Sequence, residues 1–444
     1  MRWPGRVVLL GLCVLCLVAV PAAGAEHQPG YPLSLAEAIG IVLRESPQTE
    51  IAAQGAASAE EQRKSVRGEF LPKLRTEFEI TGFNDVPTVE IPAMPPLPAR
   101  TFDAGSDHEI LSRTSLEQPL FTGLALVSRY RLADLSLSQA EVQREATRQD
   151  LILRTHEAYF DVLVSEKLLR VAEQSVTQLE SHAEVARQFF ETGMIPKNDL
   201  LKAQVQLADV KQNRIIAAHR LDVARTQFNI LLRRKEDEPV LLSEELRYRP
   251  YEGTLEDSVQ VALSRQPELL ISELDIRKAE QSVRLARSAL YPHFGLVGAL
   301  THDEGGFATS DKVLSGTLHG DWAVWDWGTN YYNVKSAESQ RSVAEARHRQ
   351  LADLTRLQVR QAYLALEEWR EAIGVAEASI DQAKENFRIT EDQFKANVTT
   401  NTEVLDAQTL LSRAQVNYYS ALNRYNISVA RLQKAMGVLT QPDE

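Results

Sequence analysis

Apolar positions at Leu169, Ala172, Val176, Leu179, Ala183, Ala186 and Phe190 are spaced three and four apart. The rhythm returns at Ile373, Ala376, Ile380, Ala383, Phe387, Thr390 and Phe394. A second stripe follows each of these: Leu200, Ala203, Leu207, Val210, Arg214, Ala217, Leu221, Ala224 and Phe228 after the first, and Val404, Ala407, Leu411, Ala414, Tyr418, Ala421, Tyr425, Ser428 and Leu432 after the second. This is heptad spacing in which large and small residues often alternate, and it fits knobs-into-holes packing of antiparallel helix pairs. The pattern predicts one helix from about Gly123 to Glu191 and another from about Gly328 to Lys395. At 1.5 Å per residue each would extend roughly 100 Å. A helix of that length exceeds any compact domain, so the predicted shape is a rod or a tube.

Elsewhere the period is two. Leu314, Gly316, Leu318, Gly320, Trp322 and Val324 alternate with their neighbours in "KVLSGTLHGDWAVW", and "KLRTEFEITGF", "EILSRTSLEQPLF" and "HFGLVGALTH" also read as strands. Ahead of each strand pair stands a helix opened by a capping box, Ser34-x-x-Glu37 and Thr254-x-x-Asp257. These helices are expected to run to about Glu69 and Ala289, where Pro72 and Pro292 stop them.

The two halves are copies. Pro47 maps to Pro267 and Leu71-Pro72 to Tyr291-Pro292 at an offset of 220, whereas Tyr159 maps to Tyr363 and Ala203-Gln204 to Ala407-Gln408 at 204. The difference, 220 − 204 = 16 residues, falls in the proline-rich stretch from Asn84 to His108, which cannot be helix. The expected organisation is a first repeat over 26–233, with a β-hairpin at 71–120 and a coiled-coil hairpin at 123–233, and a linker at 234–253. A second repeat covers 254–437, with its hairpins at 291–325 and 328–437, and a short tail covers 438–444.

Residues 1–25 read as a secretory signal peptide: Arg2 and Arg6, the 14-residue apolar run Val7 to Val20, and the small-residue site Ala23-Gly24-Ala25. Both cysteines, Cys13 and Cys16, lie there, so the mature chain is expected to hold no disulfide. Its loss would remove two arginines and no acid, taking the net charge from −12 to −14. That balance argues against a nucleic-acid partner. No later segment has the apolar length of a membrane helix. The nine histidines form no ligand-like cluster, and no nucleophile–base motif or phosphate loop occurs. No cofactor, metal or enzyme activity is expected.

The duplication, "WAVWDWG" from Trp322 to Gly328 leading into the second long helix, and two turns of related sequence carry a resemblance. One turn reads Phe190-Glu191-Thr192-Gly193 before Asp199-Leu200-Leu201-Lys202-Ala203-Gln204. The other reads Phe394-Lys395-Ala396-Asn397 before Glu403-Val404-Leu405-Asp406-Ala407-Gln408. From Leu35 to Gly437 the chain resembles the TolC-like outer-membrane efflux proteins of Gram-negative envelopes. The resemblance implies a mostly helical chain that assembles as a homotrimer. Its twelve strands would form one β-barrel among outer-membrane lipids, continued by a periplasmic α-helical tunnel. It implies passive transport, as the exit duct of an efflux or type I secretion system, with a periplasmic adaptor and an inner-membrane pump of RND, ABC or MFS type. Four strands alone cannot close in a membrane, which independently requires a shared barrel. The alternative is a secreted coiled-coil scaffold with no channel.

Six helix-hairpin tips per trimer would then face the periplasm. Gly193, Met194, Ile195, Asn397, Val398 and Thr399 are the candidate adaptor-docking residues, because exposed apolar groups beside helix ends mark interaction surfaces. Gly193 suits a left-handed helix stop, and Asn397 is the next best residue there. Thr400-x-x-Glu403 reads as a capping box. The resemblance also implies an acidic ring at the periplasmic entrance from Glu403 and Asp406. It implies that Asp199 helps to hold the entrance shut, although Thr399 stands where some relatives place a basic partner. Trp322 and Trp325 are candidates for a membrane-interface aromatic belt, and Trp327 is expected to pack locally.

Overall fold

A computed structural model describes residues 32–86, 88–103, 105–305 and 312–441. The signal-peptide residues lie outside the described part, as does the end of the second hairpin loop. The first half comprises α1 (Leu35–Glu45), α2 (Pro47–Gly68), β1 (Lys73–Gly82), β2 (Thr88–Ile91), β3 (Arg100–Asp103), β4 (His108–Thr122), α3 (Ala125–Glu191) and α4 (Lys197–Leu231). The second comprises α5 (Leu255–Arg265), α6 (Pro267–Ser288), β5 (His293–Glu304), β6 (Lys312–Asp321), α7 (Thr329–Lys395) and α8 (Asn401–Ala435).

The opening helix of each half is two helices, not one. Ser46 and Gln266 are extended, at ψ 127° and 121°, because a following proline disfavours the helical conformation. Pro47 and Pro267 then start the next helix, where a missing N–H is harmless. The Ser46 hydroxyl accepts from the Gln48 N–H, and the Gln266 side chain from the Leu269 N–H. The Ser34 capping box forms as read, with Glu37 reaching back to the Ser34 N–H.

Both long helices have 67 residues. α2 and then α4 run along α3, and α6 and then α8 run along α7, so each half is a rod two helices wide. α3 also packs on α6 and α8, which joins the halves side by side. The stripe read on α7 is largely buried: Ile373, Ala376, Phe387, Thr390 and Phe394 face neighbours. On α3 the buried face is rotated slightly, through Val171, Ser175, Leu179, His182 and Ala186. Phe190 is exposed there, and Phe189 stacks on Phe394 instead, at 5.4 Å. The cause is that α3 serves two partners, α4 and α8, whose seams overlap.

The principal apolar core lies mid-rod, where α1, α5 and the connection between the halves wrap the long helices. It includes Ile39, Val42, Leu151, Ile152, Tyr159, Phe228, Leu366 and Leu432. Two fully buried tyrosines hold the wrapping segments. The Tyr159 hydroxyl donates to the Leu33 carbonyl at 3.0 Å and accepts from the Glu244 N–H at 3.3 Å. The Tyr425 hydroxyl donates to the Arg249 carbonyl and accepts from the Tyr251 N–H, both at 3.0 Å.

The sheet order is β1-β4-β5-β6, all antiparallel, with β1 and β6 as open edges. β6 ends at Asp321, short of the Trp325 boundary read from alternation, because Asp326 takes over as a cap. Its carboxylate accepts from the Gly328 and Asn330 N–H groups. Strand passes to helix through two consecutive left-handed residues in each half, Gly123-Leu124 and Trp327-Gly328. At Gly123 a Cβ would lie 2.4 Å from the Ser288 carbonyl, so glycine is required by both space and φ. The proline-rich insertion adds its own two-stranded sheet, β2–β3.

Tyr159→Phe should cost about 1–3 kcal/mol, because it leaves the Leu33 carbonyl and the Glu244 N–H without their buried partner. Thermal unfolding of the purified protein measures this; an unshifted transition would remove the tyrosine clamp from the account.

Candidate functional site

The rod ends in two tips built alike. At the end of α3, the Gly193 N–H donates to the Phe190 carbonyl and the Met194 N–H to the Phe189 carbonyl. At the end of α7, Asn397 donates to Phe394 and Val398 to Gln393. Each is a Schellman stop, with Gly193 at φ +77° and Asn397 at φ +59°. Met194 and Val398 follow the stops and are 56 % and 75 % exposed. Ile195 departs from the sequence reading: it is half-buried and packs with Ala186, Phe387, Phe394 and Val404 in the tip cluster. Thr399 is half-buried as well.

The acidic residues divide. Glu403 and Asp406 are exposed on one stripe of α8, with no side-chain hydrogen bond or ion pair among the described residues. The expected capping box does not form, since the Thr400 side chain makes no cap bond. Asp199 pairs within its own helix, at 3.5 Å from Lys202 Nζ, and its carboxylate does not reach across to the second tip. What crosses is Asn401, which the sequence reading did not single out. Asn401 Nδ2 donates to the Asp199 main-chain carbonyl at 3.0 Å, and Asn401 Oδ1 lies 2.6 Å from His182 Nε2.

The proton positions here follow from chemistry. A carbonyl only accepts, so the amide nitrogen must face Asp199 and the amide oxygen must face His182. His182 therefore carries its proton on Nε2. Its ring is buried and lies 4.9 Å from that of Phe394. Burial is the main cause holding its pKa below the ordinary histidine value. The linked residues stand 219 positions apart and follow no periodicity, so nothing in the sequence pattern marks them.

This link is the lowest of several polar rungs between α3 and α8. Ser175 and Ser412 share a hydroxyl bond of 2.6 Å, Asn423 donates to Asp161, Arg431 binds Glu157 at 2.7 Å, and Lys434 pairs with Asp150. Apolar contacts lie between the rungs, as where Leu179 meets Val210 and Leu405.

At the other end the sheet has two unlike faces. Leu74↔Leu116, Leu296↔Leu318 and Leu300↔Leu314 pair on one face, while Lys73↔Glu117 and Glu77↔Arg113 pair on the other. The apolar face has no cover among the described residues. Below β6, Trp322 Nε1 donates to the Leu290 carbonyl at 3.2 Å. Trp325 and Trp327 meet edge to face, and Trp327 is 86 % exposed. The local packing expected of Trp327 is thus limited to that contact, because its left-handed backbone turns the ring outward.

No helix among the described residues is long and apolar enough to cross a membrane. No group of three His, Cys, Asp or Glu among them is placed to hold a metal ion. A sheet apolar on one face, charged on the other and open at both edges, standing on a rod of 67-residue helices, defines one subunit of a shared barrel and tunnel. Comparison with known proteins agrees. The family model described as "Outer membrane efflux protein" matches residues 38–232 and 258–438. The outer membrane protein TolC of Vibrio cholerae is 24 % identical over 359 residues, covering 78 % of this chain and 80 % of that protein. The alkaline protease secretion protein AprF of Pseudomonas aeruginosa is 23 % identical over 431 residues, covering 94 % and 87 %. The solved CmeC outer membrane channel of Campylobacter jejuni superposes with a TM-score of 0.75 at 17 % identity, covering 92 % of this chain and 87 % of that one. The chain belongs to the outer membrane efflux protein family. It is an outer-membrane channel subunit with a periplasmic helical tunnel, of the efflux or type I secretion kind. Members of this family are channels that trimerise and work with adaptors and inner-membrane pumps.

The His182 link gives a signed pH dependence. A histidine whose pKa falls on packing favours the packed tip above its ordinary value of 6.5, and that contribution is lost as pH drops below it. Amide exchange at residues 394–404, corrected for intrinsic rates, should accelerate between pH 7.5 and 5. His182→Gln keeps a donor but cannot titrate, so its tip should show no such acceleration; equal pH dependence in both proteins would exclude His182 as the cause.

Proposed function

We propose that the trimer is a passive exit duct joined at its six tips to a periplasmic adaptor, with energy supplied by an inner-membrane pump of RND, ABC or MFS type. It performs no chemistry and needs no cofactor. Efflux and protein secretion share this architecture; the likeness to AprF over 94 % of the chain keeps secretion within the proposal. The mature subunit would begin at Glu26, after removal of residues 1–25. Its repeats, 26–233 and 254–437, would each supply one strand pair and one tip, and the two-segment family match supports that division. The loop from Asn84 to His108 would lie outside the cell.

The observation that carries the reading is the character of the tips. Each ends in an exposed apolar residue beside a rigid stop, Met194 or Val398, and the second adds two unpaired acids one turn on. Met194 and Val398, with the backbone of Gly193, Asn397 and Thr399 holding them, form the docking surface. Ile195 supports it from beneath. Glu403 and Asp406 form the acidic ring of the resting entrance, and the Asn401 link takes the holding role expected of Asp199. Trp322 and Trp325 would sit at the periplasmic membrane interface.

Two experiments test these assignments. Met194→Asp with Val398→Asp should block export while trimers still form; unchanged export would place docking elsewhere. In planar bilayers, Glu403→Gln with Asp406→Asn should weaken cation selectivity and block by multivalent cations, because acidic rings favour cations. Equal selectivity in both proteins, with trimers intact, would sink the ring.

A further inference from the structure

The hairpin inserted in the first half is amphipathic and has no strand partner among the described residues. Its register pairs Val89 with Phe102 and Ile91 with Arg100. Directly opposed residues share a face and alternate residues change face. Val89, Ile91 and Phe102 therefore stand on one side, with Arg100 at the turn end of that side opposite Ile91. Thr88, Glu90, Thr101 and Asp103 stand on the other. Beyond the strands, Met94 and Leu97 close the turn and are 71 % and 64 % exposed. Among the described residues β2–β3 is a sheet of its own, hydrogen-bonded to no other strand. A lone two-stranded hairpin is marginal in water, so this one needs its apolar face covered.

The root of the hairpin is fixed. The Phe83 N–H donates to the Asp107 carbonyl at 2.7 Å, and the Ser106 N–H to the Gly305 carbonyl at 2.9 Å. It rises from β1, the edge strand that must pair with the next subunit, so its base sits at a subunit boundary. Twelve strands about 4.8 Å apart and tilted about 40° enclose a barrel of backbone radius about 12 Å. The stretch from Thr88 to Met94, at about 3.3 Å per residue, reaches about 20 Å. Each hairpin is long enough to reach the axis.

A lipid surface is the other candidate cover, and the charges disfavour it. An amphipathic element lying on a membrane carries lysine and arginine on its polar face. Here that face carries Glu90 and Asp103.

We propose that the β2–β3 hairpins of three subunits fold over the extracellular mouth and pack their apolar faces together, with Met94 and Leu97 nearest the axis. This rests on the channel reading above. Three tethered copies meet at high effective concentration, so a patch too small to hold free monomers together suffices. The acidic faces then point away from the shared apolar centre and remain in water.

The test uses Met94→Cys in the full chain expressed in cells, with the unsubstituted chain as control for Cys13 and Cys16. A short, membrane-impermeant bismaleimide should join pairs of subunits. Adding Val89→Asp and Phe102→Asp should abolish the linkage while trimers persist on native gels. Trimers without linkage in the Met94→Cys protein, or linkage that survives the two aspartates, would overturn the contact. Absence of trimers altogether would overturn the channel reading and the contact with it.

Discussion

An unpaired strand edge in hydrocarbon leaves backbone donors and acceptors with no water to satisfy them, at several kcal/mol per group. This chain has two such edges, on β1 and β6. No rearrangement of four strands removes them; only other copies can. Assembly is therefore a condition of the fold. The helices α2, α4 and α7 also keep exposed apolar residues, such as Ile51, Val223 and Leu357.

The joint between the two helical hairpins of one subunit adds polar links to its apolar packing. Along α3 and α8 it is crossed by hydroxyl, amide and charged pairs from Lys434–Asp150 at one end to Asn401–His182 at the other. Hydrogen bonds of this sort contribute about 1 kcal/mol net apiece and are exchangeable for water, unlike buried methyl groups. Such rungs fix a register between two helix pairs that also share apolar clusters. At the tip this matters most, since the apolar cluster there is small and the Asn401 bridge ties three helices.

Much of the plan was legible in the chain itself. The limits read for the two long helices, Gly123 to Glu191 and Gly328 to Lys395, fall within two residues of α3 and α7. The heptad stripe misplaces Phe190, since α3 has two partners and one stripe cannot describe both. The breaks at Pro47 and Pro267 were visible as prolines, yet the helix seemed continuous because α1 and α2 keep apolar positions on either side. The Thr400 box failed for a different reason: the motif is only a pair of side chains that can bond, and here Glu403 stays in solvent. The His182–Asn401 bond left no trace at all, being a single polar contact between distant segments.

The equal length of α3 and α7 has a consequence for what change this chain can absorb. Removing one residue from a helix rotates everything beyond it by about 100° and shifts it by 1.5 Å. In α3 that would turn the faces meeting α4 and α8 away from both at once, and would do so in every copy around the tunnel. The rod is thus a ruler whose marks cannot be moved singly. Insertions have an outlet only where the chain leaves the wall, and the sixteen residues by which the halves differ are found in such a loop.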